Sequence, residues 1–134
     1  MLSTKAIQPN TLELLKKLQS IKEFDEFRLV GGTSLALQVG HRLSIDIDLF
    51  SFKTPIPNNL QSIIFSNGFD IENISLSDSI QIFRINGIKV DFVSYPYPWL
   101  NDCIHVEGIR LANIEDIAAQ IKKSILEISE QEFL

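Results

Sequence analysis

The chain has one cysteine, Cys103, so no disulfide can form within it, and a lone thiol fits a reducing compartment. Cys103 itself reads as a small, semi-buried apolar residue. No stretch approaches the roughly 18 apolar residues that a membrane span requires, and the N-terminal region lacks a charged start followed by an apolar block. A soluble, cytoplasmic protein is expected. Basic residues are in deficit: 12 Lys and Arg stand against 17 Asp and Glu, a net charge of −5. That balance speaks against nonspecific capture of nucleic acid by a broad basic field, so a polyanionic substrate has to be met by a few placed cations or metals. Low-complexity tracts, like-charge runs, internal repeats and interdomain linkers are all missing. With 134 residues, 45% hydrophobic and 22% charged, what remains is one domain, residues 1–134, able to bury a real core.

The order of elements follows from periodicity. In "TLELLKKLQSI", Leu12, Leu15, Leu18 and Ile21 recur near the helical period, with Asn10 as the expected N-cap and Glu13 three residues on. "EFRLV" reads as a short buried strand stopping at Gly31-Gly32, and "TSLALQV" as a two-turn helix closed by Gly40. "LSIDIDLFS" alternates, with Ser44, Asp46 and Asp48 on one face and Ile45, Ile47 and Leu49 on the other. "NNLQSIIFSNG" reads as a helix ending near Gly68, and "FDIENISL" as a strand. In "SIQIFRINGIKVDFVSY", Asn86-Gly87 between two alternating runs predicts a type I′ hairpin in which Ile85 faces Ile88, Arg84 faces Lys89, Phe83 faces Val90 and Ile82 faces Asp91. "IHVEGIRLA" is expected to be a strand, and "NIEDIAAQIKKSILEIS" a terminal helix opened by Asn113 with Asp116 three residues later. The aromatic loop "YPYPWL" reads first as a loop closing over the core, and alternatively as a base-stacking platform or a partner surface.

Two carboxylates at i and i+2 of a strand stand side by side, and without a cation their repulsion raises a pKa or strains the strand. A hard divalent cation such as Mg²⁺ takes oxygen ligands, and two such ions about 3.5–4 Å apart can clamp the attacking and leaving oxygens of a phosphoryl displacement. Asp46 and Asp48 are therefore candidate metal ligands, and Asp91, in an otherwise apolar strand and on the unpacked face of the hairpin, is the candidate third. Gly31 and Gly32 lead from a strand into a helix N-terminus, where backbone N–H groups and bare Cα atoms suit a phosphate, and Thr33 and Ser34 can add hydroxyls. Taken singly, Gly-Gly is also the pattern of a plain turn and D-x-D that of a solvated face. Arg84 and Lys89 share the face of Asp91 but also read as a surface pair. His41 and Arg42 could lie near phosphates, but a histidine and an arginine after a helix-ending glycine are also termination chemistry, the reading preferred for His41.

The run "VGG", thirteen residues, "DIDL" resembles the signature of the DNA polymerase β-like nucleotidyltransferase superfamily. Residues 29–51, "LVGGTSLALQVGHRLSIDIDLFS", resemble more specifically the AbiEii/AbiGii nucleotidyltransferase toxin family. That resemblance implies an α/β (α+β) nucleotidyltransferase fold, a mixed sheet flanked by helices. It also implies Mg²⁺-dependent transfer of an NMP from an NTP to an RNA end or a protein hydroxyl, and a toxin role paired with a separate antitoxin in a type IV system. It assigns phosphate to Gly31, Gly32, Thr33 and Ser34, with Arg42 and Lys122 nearby, and a two-metal site and catalysis to Asp46, Asp48 and Asp91. "NIEDIAAQIKKSI" resembles the family's E-D-[IL]-A-A-M-K-L helix through Glu115 and Asp116. Its lysine position holds Ile121, with Lys122 and Lys123 following, a shift of about 100° around a helix. The chain ends soon after this helix, as in a short or C-terminally truncated member. Two alternatives differ in class: a noncatalytic nucleotide- or partner-binding module of the same fold, and a metal-dependent phosphohydrolase.

Overall fold

The computed structural model describes residues 7–39 and 46–132. Seven strands form one mixed sheet in the order β3-β4-β5-β2-β1-β7-β6. In chain order the elements are α1 (Pro9–Gln19), β1 (Arg28–Val30), α2 (Gly31–Val39), β2 (Ile47–Phe52), α3 (Leu60–Ser66), β3 (Ile71–Leu76), β4 (Ile80–Ile85), β5 (Ile88–Tyr95), β6 (Ile104–Val106), β7 (Ile109–Leu111) and α4 (Ile114–Glu132), with a single 3₁₀ turn at Lys22–Phe24.

The hairpin register is the one the Asn-Gly pair predicts. Asn86 and Gly87 hold φ of 49° and 81°, the left-handed values of a type I′ turn, and Ile85 pairs with Ile88, Arg84 with Lys89, Phe83 with Val90 and Ile82 with Asp91. Period two then sorts the side chains. Phe83, Ile85, Ile88, Val90 and Phe92 are buried in the main core with Ile47, Leu49 and the inward residues of α1 and α3. Four phenylalanines knit its centre, Phe92 lying 5.0 Å from Phe24, 5.6 Å from Phe27 and 6.2 Å from Phe83 between ring centroids. A smaller cluster of Val30, Ala112 and Ile117, joined by Phe50 and Trp99, packs the first turn of α4 onto the sheet.

Five expectations need correcting. The N-cap of α1 is Gln8, with Pro9 at the first helical position, where its missing N–H costs nothing. Asn10 lies inside the helix and accepts a hydrogen bond from the N–H of Thr11. Helix α2 starts at Gly31 itself, and β2 begins at Ile47, so Asp46 immediately precedes the strand. "IHVEGIRLA" is a second hairpin, β6 pairing antiparallel with β7. Its turn residues Glu107 and Gly108 take φ of 53° and 78°, a conformation Glu-Gly advertises less plainly than Asn-Gly. Finally, Asn113 caps α4 by accepting the N–H of Glu115, but Asp116 does not complete the box. The expected Gly40 helix end, and Ser44 and Ile45 of the alternating run, lie outside the described residues.

Candidate active site

Strand β2 is flanked by β1 on one side, antiparallel, and by β5 on the other, parallel. The ladders put Val30, Asp48 and Asp91 in one row, since Val30 pairs with Asp48 and Asp48 with Asp91. Side chains paired across a ladder project from the same face, so the two carboxylates stand beside each other. Burial, the neighbouring Asp91 charge, the charge of Asp46 and a hydrogen bond with Asp91 push the Asp48 carboxyl up to about 6, and Lys89 opposes them. Lys89 lies two residues before Asp91 on the same face, with Nζ 3.2 Å from Asp91 Oδ1 and 3.3 Å from Oδ2. The contact to Oδ1 has poor hydrogen-bond geometry, and this buried atom accepts no hydrogen bond.

Gly31 follows Val30 directly, which brings its backbone against the Asp48 side chain. Its φ is +72°, and a Cβ there would fall 2.4 Å from Asp48 Oδ2. Glycine is therefore required twice, for a left-handed backbone and for room beside a carboxylate. By contrast, a Cβ on Gly87 would meet nothing within 4 Å.

The other expected residues are placed as follows. Gly32 occupies the first turn of α2. Thr33 and Ser34 are fully buried; the Thr33 hydroxyl donates to the Asp46 carbonyl, and Ser34 Oγ accepts from Gln38 Nε2 at 3.0 Å. Those hydroxyls brace the turn and tie it to the chain entering β2. Lys122 is exposed on α4, while His41 and Arg42 lie outside the described residues. Arg84 turns outward to Glu72, 3.9 Å away. Among the described residues no group of three His, Cys, Asp or Glu side chains is drawn together closely enough to hold a metal ion. Asp48 and Asp91 make the pair, and Asp46 acts on it through its charge.

Sequence reasoning missed the role of Asp116. This residue is only 3% exposed, and its carboxylate accepts the N–H groups of Leu100, at 2.6 Å, and Asn101, at 3.1 Å. It clamps the aromatic loop onto α4. The spacing Asn113 to Asp116 reads as a capping box, and nothing in the linear pattern separates a carboxylate that caps its own helix from one that reaches a distant loop. Lys123, which the sequence places just after the family's lysine position, has its Nζ 3.0 Å from the centre of the Tyr97 ring, a contact the linear pattern does not show.

The fold defines the class. A candidate nucleotidyltransferase from Helicobacter pylori has a similar structure, with a TM-score of 0.58 at 24% identity over 84% of this chain and 58% of that one. A Thermotoga maritima protein of the same description, TM1012, matches with a TM-score of 0.58 at 18% identity over 93% of this chain and 91% of its own. The chain thus has the nucleotidyltransferase fold, a mixed seven-stranded sheet with four α-helices. The family model "Nucleotidyl transferase AbiEii toxin, Type IV TA system" matches residues 13–120, and the chain belongs to that family. It is also similar to uncharacterized protein aq_aa25 of Aquifex aeolicus, 35% identical over 119 residues, 79% of this chain; it spans about half (53%) of that relative's length. Among the described residues no helix is long and apolar enough to cross a membrane.

Proposed function

We propose that the chain transfers a nucleoside monophosphate from an NTP to a hydroxyl of RNA or protein, as the toxin of a type IV pair whose antitoxin is a separate chain. The observation that carries this reading is the Asp48–Asp91 pair set against Gly31. Two like charges in one ladder row, with Lys89 paired to Asp91, form an oxygen-only donor set that suits a hard cation. Asp48 and Asp91, with Asp46 alongside, would hold Mg²⁺ in a two-metal site. When bound, the cation neutralises charge on the phosphates and makes the α-phosphorus more electrophilic.

The remaining work falls to the chain. Backbone N–H groups at Gly31 and Gly32, at the positive end of α2, bind the β- and γ-phosphates, with Arg42 and Lys122 as further cationic partners. Thr33 and Ser34 hold that turn in place through their internal hydrogen bonds. Asp91 accepts the proton of the acceptor hydroxyl. The hydroxyl oxygen then bonds to the α-phosphorus, the bond from that phosphorus to the bridging oxygen breaks, and pyrophosphate leaves along the Gly31-Gly32 turn. Positioning and charge neutralisation supply most of the rate in such a transfer.

The test is transfer of label from α-labelled NTP, with Mg²⁺, to a mixed RNA pool and to protein. The wild type is expected to label one of the two acceptors, and Asp48→Asn and Asp91→Asn to lose at least about 100-fold in rate. Binding of NTP without label transfer would replace this reading with a noncatalytic nucleotide-binding module, and release of phosphate without labelling would indicate a phosphohydrolase.

A further inference from the structure

The aromatic loop and α4 enclose a cavity of about 270 Å³ that the phosphate chemistry leaves unused. Tyr95, Tyr97 and Trp99 line it from the loop side, and Asp116, Gln120 and Lys123 from the helix. The helical residues recur at spacings of four and three, so they form one stripe along α4. The loop is held at that stripe by the two backbone N–H groups that Asp116 accepts, so the cavity has a fixed wall.

Its position relative to the aspartates follows from the register. In β5, Asp91, Val93 and Tyr95 alternate onto one face, and in β2 Asp48, Phe50 and Phe52 do the same, because Asp48 pairs with Asp91 and Phe50 with Val93. Tyr95 thus stands on the face of the carboxylate pair, four residues or about 13 Å further along the strand. Aromatic rings cover the interval: Phe50 lies 5.4 Å from Tyr95, and Tyr95 lies 5.3 Å from Tyr97 between centroids. A nucleoside triphosphate with its phosphates at Asp48 and Gly31 would direct its base end along this face.

We propose that this cavity is the nucleobase subsite of the NTP, in which the base takes the place of the Lys123 ammonium on the face of Tyr97, packs against Trp99 and turns its polar edge toward Gln120 and Lys123. The assignment rests on the nucleotidyltransferase reading for its phosphate anchor, and on the cavity alone for its base chemistry. Flat π-faces in an apolar slot with a few polar groups at the rim are what a heterocyclic base requires.

Trp99 is the only tryptophan of the chain, so its fluorescence reports occupancy of the cavity directly. Each NTP with Mg²⁺, each nucleoside, and inorganic triphosphate with Mg²⁺ are titrated into wild type, Tyr97→Ala, Tyr97→Phe and Asp48→Asn. Tyr97 is 37% exposed, so neither substitution at that position opens the core. The expected result is that NTP and nucleoside quench Trp99, that Tyr97→Ala weakens both by about 5- to 100-fold, that Tyr97→Phe restores them, and that triphosphate binds Tyr97→Ala as it binds wild type. NTP binding that falls with Asp48→Asn but is unchanged in Tyr97→Ala would overturn the base subsite and leave the phosphate site standing. Nucleoside quenching that depends on Tyr97, in a protein whose NTP and triphosphate binding ignore Asp48→Asn, would uphold the base cavity and overturn the phosphate reading. Absence of any quenching by NTP or nucleoside overturns the proposal.

Discussion

Asp48 and Asp116 are both withdrawn from water, on β2 and α4, and they have opposite electrostatic fates. Asp116 is the more deeply buried, at 3% exposure, yet two backbone N–H groups satisfy its oxygens, so its charge organises a loop. Asp48 shares its ladder row with a second carboxylate and has Gly31 pressed against it, so its charge opposes the fold. Burial depth alone therefore says little about a carboxylate's purpose. What distinguishes the two is whether the chain supplies the donors, and at Asp48 it supplies mainly another acceptor. A carboxylate pair left frustrated in this way marks a candidate binding centre.

Asp48→Asn probes the difference most strongly. An unfolded aspartate releases its proton near the ordinary 3.8, whereas folded Asp48 keeps it up to about 6. The folded state thus binds more protons in that window, and the cation-free protein has its full stability from this group below about pH 4 and loses it as the pH rises through about 6. The loss is about 3 kcal/mol. Urea denaturation of the cation-free wild type across this range is expected to show the decline, and Asp48→Asn to abolish most of it. Asp116→Ala strikes the satisfied carboxylate: removing an acceptor of two backbone N–H groups is expected to cost about 1.5–3 kcal/mol and to release the aromatic loop, seen as a change in Trp99 emission.

Gly31→Ala and Gly87→Ala separate backbone strain from crowding. Each forces alanine into a left-handed conformation and is expected to destabilise by about 1–2 kcal/mol. Only at Gly31 does the new Cβ displace the Asp48 carboxylate, so nucleotide affinity should fall in Gly31→Ala and be unchanged in Gly87→Ala, as calorimetric titration would show. The smallest effect is expected from Lys89→Met. Among the described residues Lys89 is the one group that pulls the Asp48 carboxyl down, so its removal should move the acid-side stability change to higher pH, at a cost below about 1 kcal/mol because the lysine is substantially exposed.

These contrasts also mark where the linear pattern runs out. The β4–β5 register was legible because Asn86-Gly87 fixes a two-residue turn and alternation then assigns every side chain to a face. The aspartates were legible as residues, since charges inside an alternating apolar run stand out. Their adjacency in one row was not, because it depends on the parallel pairing of β2 with β5, a long-range choice that no local period encodes. The β6–β7 hairpin was missed because Glu-Gly is a weaker turn signal than Asn-Gly. The Asp116 clamp was missed because its partners are 15 and 16 residues away in the chain.

Whether Asp48 and Asp91 form a cation-requiring nucleotide site is read from the thermal midpoint at neutral pH. Wild type and Asp48→Asn are compared with no divalent cation and with Mg²⁺ plus a non-hydrolysable NTP. The variant is expected to melt above wild type without the cation, and Mg²⁺ and nucleotide to raise wild type but leave the variant unmoved. A wild type that melts at or above the variant without the cation, with neither protein responding to Mg²⁺ and nucleotide, would contradict it.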